Sequence, residues 1–138
     1  MNVVIMLRLA GLAHLGILIA GACMPRVVGL RSHLGLLPDF PRQLFWVYYG
    51  FIGFCVLGFG TISFVFADPL ASGSPLARAF CSFAGLFWLL RCGVACFLFD
   101  LRPFLTSTMK KLGYHLLNLG FVVLTAVYLW AAIFGGSL

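Results

Sequence analysis

The chain has 138 residues, of which 63% are hydrophobic and only 9% are charged. An average soluble domain is about 45–50% apolar and about 25% charged, so this composition excludes a water-soluble fold that covers its own core. The formal net charge of +6 does not indicate a nucleic-acid partner, because most of the cations lie in short connectors between apolar segments, as they do in membrane proteins.

Four apolar segments follow one another along the chain, at about residues 3–24, 44–67, 77–99 and 112–134. Each has roughly 20 residues or slightly more, which at 1.5 Å per residue is enough to cross a hydrocarbon core of about 30 Å. Proline-containing polar connectors separate them and mark helix ends. We therefore predict an all-α membrane protein, a four-helix transmembrane bundle that forms a single domain over residues 1–138.

The first segment has a second interpretation, because Ala20-Gly21-Ala22-Cys23 resembles a signal cleavage site or a degenerate lipoprotein box. Cleavage there would remove the first helix and leave three spans. Residues 1–7 are mostly apolar rather than a basic leader, and cleavage would place the arginines of the first connector outside the cell. We therefore expect the first helix to be retained.

The basic residues predict the orientation. Connectors one and three hold most of them, whereas the middle connector and its border hold only Arg78. By the positive-inside rule, connectors one and three face the cytoplasm and both termini face outward. We expect a multi-pass protein of the inner (plasma) membrane, with anionic lipid headgroups near the connector cations Arg26, Arg31, Arg42, Arg102, Lys110 and Lys111.

Polar residues inside the apolar segments are the candidate site. Helix rise puts Asn118 about 9 Å, Arg91 about 12 Å and His14 about 15 Å from the cytoplasmic helix ends, which predicts a polar layer. Arg91 either meets another helix, a headgroup or a ligand, with Trp88 able to stack on it, or extends toward the headgroups. His14 is either a packed, hydrogen-bonded histidine or a ligand.

Helical spacing supports this layer on the first and fourth helices. Lys111, His115, Asn118 and Thr125 form a polar stripe that should turn inward, so His115 joins the candidate layer. The same stripe could serve only as hydrogen-bonding contact between helices, and His115 could meet interfacial water. On the first helix, His14 shares a face with the small residues Ala10, Gly11 and Gly21, which predicts close approach of another helix there.

The five cysteines do not suggest a disulfide framework, because their number is odd and they are spread over three apolar segments. Cys92 and Cys96 are one helical turn apart and are expected to be small packing residues. A metal site from Cys23, Cys96 and His115 remains an alternative, but the spacing matches no familiar ligand signature, so we predict none. No cofactor and no catalytic residue can be assigned from the sequence.

Three functions remain at this point. The absence of a catalytic signature in this sequence favours an accessory or assembly component, with another membrane protein or a second copy of the chain as its partner. One alternative is a channel or carrier for a small solute that uses the polar layer. The other is a membrane-embedded redox enzyme.

Overall fold

The computed structural model describes residues 2–98 and 107–136, and within these ranges the chain is all-helical. The helices are α1 (Val3–Val27), α2 (Leu30–Leu34), α3 (Asp39–Val65), α4 (Ala67–Ala71), α5 (Pro75–Phe97) and α6 (Thr108–Phe134). Four of them, α1, α3, α5 and α6, are long and apolar enough to cross a membrane. The prediction of an all-α chain with four such helices is confirmed.

Two helices begin at least four residues earlier than the apolar segments that predicted them. α3 begins at Asp39 rather than near residue 44, and α6 begins at Thr108 rather than near residue 112. Asp39 lies in the first turn of α3, where a carboxylate interacts favourably with the helix dipole. Hydropathy locates the lipid-soluble part of a helix, but the helix itself continues into polar sequence until a capping residue or proline ends it.

Neighbouring helices surround a common interior in the order α1, α3, α5, α6. α1 packs against α3 and α6, and α5 packs against α6. α3 meets α5 through Phe59, whose ring centroid lies 5.2 Å from that of Phe87. The start of α1, the short helix α4, the start of α5 and the end of α6 lie together at one end of the bundle, which we call the α4 end. The opposite end, with α2 and the starts of α3 and α6, is the α2 end.

The core occupies only the part of the bundle nearer the α4 end. Buried residues run from Val3 to His14 on α1, from Val56 to Ser63 on α3, from Ala77 to Trp88 on α5 and from Phe121 to Ala132 on α6. We call this part, residues 3–14, 56–88 and 121–136, the closed half. The rest, residues 15–55, 89–98 and 107–120, is the open half, where the described buried residues are Pro25, Leu34 and Ala95.

Glycines distinguish the two halves. A Cβ atom on Gly11 would lie 2.8 Å from the Gly60 carbonyl oxygen, and one on Gly60 would lie 2.7 Å from the His14 Cβ. α1 and α3 therefore approach so closely in the closed half that only glycine fits, as the small-residue face predicted at Gly11. In the closed half Gly58 is an exception with open space around it. In the open half a Cβ would meet no atom within 4 Å at Gly16, Gly21, Gly50, Gly93, Gly113 or Gly120.

Candidate functional site

His14 lies at the inner limit of the closed half and is fully buried, with 0% of its surface exposed. Its Nδ1 is 2.6 Å from the carbonyl oxygen of Ala10, and its Nε2 is 3.2 Å from Nε1 of Trp88. A carbonyl oxygen only accepts and an indole N–H only donates, so Nδ1 carries the hydrogen and Nε2 accepts from Trp88. The geometry assigns a neutral imidazole with both nitrogens hydrogen-bonded, joining α1 to α5.

A second buried hydrogen bond joins the other two long helices. The hydroxyls of Ser63 on α3 and Tyr128 on α6 lie 2.5 Å apart, and both residues are 0% exposed. The Tyr128 ring lies edge-on to His14, with centroids 5.9 Å apart. We call His14, Ser63, Trp88 and Tyr128 the core network. Each long helix supplies one member, so the network fixes the register of all four helices.

Arg91 lies one helical turn beyond Trp88, at the boundary of the open half. It is half-buried, and its guanidinium carbon is 4.9 Å from the centroid of the Phe121 ring. Phe121 in turn stacks on Trp88, with centroids 5.3 Å apart and ring planes 21° apart. The ring found beneath the guanidinium is thus Phe121, and through it Arg91 packs against the core network.

The other two members of the predicted polar layer, Asn118 and His115, lie on α6. Asn118 is half-buried, and His115 is exposed with its ring 5.5 Å from that of Tyr114. Thr125, from the same predicted stripe, is buried and donates to the Phe121 carbonyl oxygen at 2.8 Å. The structure therefore brings His14 and Arg91 close through Trp88 and Phe121, whereas a layer shared with Asn118 and His115 stays a prediction.

The cysteines lie at different depths. Cys81 is buried in the closed half and Cys92 is half-buried, while Cys23, Cys55 and Cys96 are exposed; all five are free thiols. Among the residues that the structure describes, no three His, Cys, Asp or Glu side chains meet in a group that could hold a metal ion. Cys81 packs in the apolar core, as small residues at helix contacts do.

Hydrogen bonds close the α4 end. Arg8 on α1 forms an ion pair with Asp68 on α4 at 2.9 Å. Arg78 donates from Nε to the Gly73 carbonyl oxygen at 3.0 Å and from a terminal nitrogen to that of Gly135 at 3.3 Å. Gly73 has a φ of +70°, and a Cβ there would lie 2.0 Å from the Gly135 oxygen, so this contact requires glycine. Arg8 and Arg78, the described basic side chains of this end, are therefore both bound by groups of the chain itself.

The α2 end has more basic side chains and a cavity. A space of about 380 Å³ is lined by Arg31, Leu34, Gly35, Arg42 and Trp46. Arg42 forms an ion pair with Asp39, the acidic side chain described at this end. Arg102, predicted to act with these cations, lies outside the described residues. The described basic side chains of this end are Arg26, Arg31, Arg42, Lys110 and Lys111.

Sequence reasoning missed the partners of His14. Tyr128 is fully buried against His14, and its hydroxyl lies 2.5 Å from that of Ser63 across the bundle. One signal was available, since Tyr128 follows Thr125 by three residues and so continues the polar stripe of α6. Ser63 and Trp88 carried no such signal, because a hydrogen bond between distant helices depends on how the helices pack.

Comparisons with protein families, with curated proteins and with solved structures find no match for this chain. The features of the structure that bear on its function are the two halves of the bundle, the core network and the basic α2 end.

Proposed function

We propose that this chain is an accessory component of a membrane-protein assembly and that its open half receives a transmembrane helix of a partner protein. The observation that carries the proposal is the split of the bundle into a closed half, where all four helices share a core, and an open half with few buried side chains. The closed half would hold the fold together, and the open half would bind the partner.

The contents of the closed half fit a structural role. Trp88 and Tyr128 fill the interior beside His14, and these side chains are 0–1% exposed. The Trp88 indole donates to His14 Nε2, and the Tyr128 hydroxyl shares a hydrogen bond with Ser63, which in lipid removes the cost of an unsatisfied donor or acceptor. A network that is satisfied within the protein fixes helix register without needing a substrate.

The chemistry of the open half favours a helix as its occupant. Glycine in a helix costs about 1 kcal/mol relative to alanine, and in membranes it is typical of places where another helix approaches closely. In the closed half that approach is made by α1 and α3 at Gly11 and Gly60. The six open-half glycines have free space where a second helix backbone would fit, surrounded by exposed apolar side chains.

The proposal includes an orientation in the plasma membrane. The α2 end, with its five described basic side chains, would face the cytoplasm, and the α4 end, with the start of α1 and the end of α6, would face outward. A cysteine in place of Ser72 should then react with an impermeant thiol reagent added to intact cells, whereas one in place of Ser107 should not, in a background without native cysteines. The opposite pattern would reverse the orientation.

Site-specific photocrosslinking tests the accessory role. Benzoylphenylalanine replaces Gly50 or Gly120 in the open half, and Phe83, which is 62% exposed in the closed half, as a matched control. We expect both open-half positions to give the same adduct with one membrane protein and the control position to give none. Leucine at Gly113, which fills the free space beside it, should abolish the Gly120 adduct without unfolding the chain. Equal labelling at all three positions, or an adduct of two copies of this chain, would contradict the proposal.

A carrier for a small anion is the second candidate, and Arg91 favours it. Its guanidinium lies at the boundary of the two halves, where a solute entering the open half would meet it. Proteoliposomes loaded with chloride or acetate provide the test, with Arg91→Leu compared with Arg91→Lys. Flux above that of empty vesicles that is lost in the leucine variant and kept in the lysine variant would replace the accessory role with this one.

A further inference from the structure

We infer that the cavity between α2 and the start of α3 binds the phosphate group of an anionic phospholipid. Two arginines from different helices, Arg31 of α2 and Arg42 of α3, line one space of about 380 Å³ together with Trp46. This inference is independent of the proposed function, because it concerns the surface of the α2 end and not the interior of the open half.

The backbone around the cavity is held in place by local contacts. Gly29 has a φ of +62°, which turns the chain from α1 into α2. Its carbonyl oxygen accepts from the Ser32 hydroxyl at 2.7 Å, and the Gly35 amide donates to the Arg31 carbonyl oxygen at 3.0 Å. Leu34 is only 7% exposed and anchors α2 against the rest of the chain. The position of Arg31 at the cavity is therefore set by the fold of this turn.

The charges around the cavity call for an anion. None of the five residues that line it is acidic, and Asp39 compensates only Arg42. Within the described ranges Arg31 forms no ion pair. A guanidinium presents parallel N–H groups that match two oxygens of a phosphate. With Arg42 paired to Asp39, the two arginines leave one net positive charge, which matches the single negative charge of a phosphodiester.

The surroundings favour a lipid over free phosphate. Leu36 and Phe40, in the chain segment between the two arginines, are 87% and 73% exposed. Such apolar side chains would cover acyl chains, whereas inorganic phosphate would leave them without a partner. Trp46 is half-buried at the cavity, and tryptophan prefers the headgroup level of a bilayer.

Native mass spectrometry of the delipidated full chain tests the site. The probes are phosphatidylglycerol, phosphatidylcholine and inorganic phosphate. We expect phosphatidylglycerol to bind at least about tenfold more tightly than phosphatidylcholine, and the double variant Arg31→Gln with Arg42→Gln to lose about tenfold or more of that affinity. The matched control, Arg26→Gln with Lys111→Gln, removes the same charge from the same end outside the cavity and should change affinity less than about twofold.

Each other result would overturn the inference. Equal losses in the two double variants would mean diffuse attraction of lipid to a basic surface. Inorganic phosphate that competes at equal concentration would mean a site for free phosphate, and equal binding of the two lipids would mean that the cavity does not select an anionic headgroup. The double variant Arg31→Lys with Arg42→Lys keeps the charge and controls for misfolding. Its affinity for phosphatidylglycerol should fall several-fold, because lysine lacks the paired N–H groups of arginine.

Discussion

The closed and open halves are built from the same four helices, yet they differ in what holds them. In the closed half, hydrogen bonds and ring contacts of the core network cross the whole bundle. In the open half, the Tyr49 hydroxyl on α3 donates to the Gly21 carbonyl oxygen on α1, and the Tyr114 hydroxyl on α6 donates to the Ala95 carbonyl oxygen on α5. Each of these bonds joins one pair of helices. Apolar composition alone therefore does not make a continuous core; close approach and matched polar pairs do.

The two ends differ in the same sense. At the α4 end, Arg8 and Arg78 are bound by a carboxylate and by carbonyl oxygens of the chain. At the α2 end there is one described carboxylate, Asp39, and there are five described basic side chains. The described charges of the α4 end are thus paired within the chain, whereas the described basic side chains of the α2 end outnumber its one described carboxylate.

Filling the α1–α3 contact should have the largest effect. In Gly60→Leu the new Cβ meets the His14 Cβ, and we expect a loss of more than about 3 kcal/mol in unfolding free energy, because neither backbone can move away without opening the core. The matched variant Gly50→Leu, on the same helix in the open half, should change the unfolding free energy by less than about 0.5 kcal/mol relative to the wild type. Unfolding in mixed micelles compares them, and equal losses would remove the distinction between the halves.

Removing the indole N–H of Trp88 should have the second-largest effect on stability. Trp88→Phe leaves His14 Nε2 buried without a donor, and we expect a loss of about 1–3 kcal/mol in unfolding free energy. Trp130→Phe is the matched control, because Trp130 is 47% exposed on α6 and should change stability little. If the two variants lose the same unfolding free energy, the His14–Trp88 hydrogen bond makes no specific contribution to stability.

Arg91→Leu should cost less, about 0.5–1 kcal/mol, since it loses the contact of the guanidinium with the Phe121 ring. Arg91→Lys keeps the charge, and its unfolding free energy should lie between those of the leucine variant and the wild type. The same unfolding measurement applies. A leucine variant as stable as the wild type would mean that Arg91 only extends toward the headgroups.

The smallest effect should come from the ion pair at the α4 end. The side chains of Arg8 and Asp68 are 53% and 66% exposed, so Arg8→Gln should cost about 0.5 kcal/mol of unfolding free energy or less. The double variant Arg8→Gln with Asp68→Asn gives the coupling between the two groups. A coupling as large as the effect of Trp88→Phe would contradict the ranking.

The sequence predicted the four long helices because apolar length is a local property that each segment carries alone. It also singled out His14 and the small-residue face, and Gly11 makes the close contact expected there, whereas Gly21 has open space where a Cβ would stand. The boundary between the halves could not be predicted, since Leu117 and Leu124 are alike in sequence and seven residues apart on one face. Leu124 is 1% exposed and Leu117 only half-buried, because the helices around them pack differently.

Thiol reactivity of native cysteines on α5 tests the central claim, that the core ends near His14, most directly. Three variants each retain one cysteine: Cys81, which is buried in the closed half, Cys92, which is half-buried in the open half, or Cys96, which is exposed. The folded chain in mild detergent is treated with a small membrane-permeant thiosulfonate. We predict that Cys81 reacts only on unfolding, whereas Cys92 reacts in the folded state, more slowly than Cys96. Protection of Cys92 equal to that of Cys81 would mean that the core runs the length of the bundle and would contradict the account.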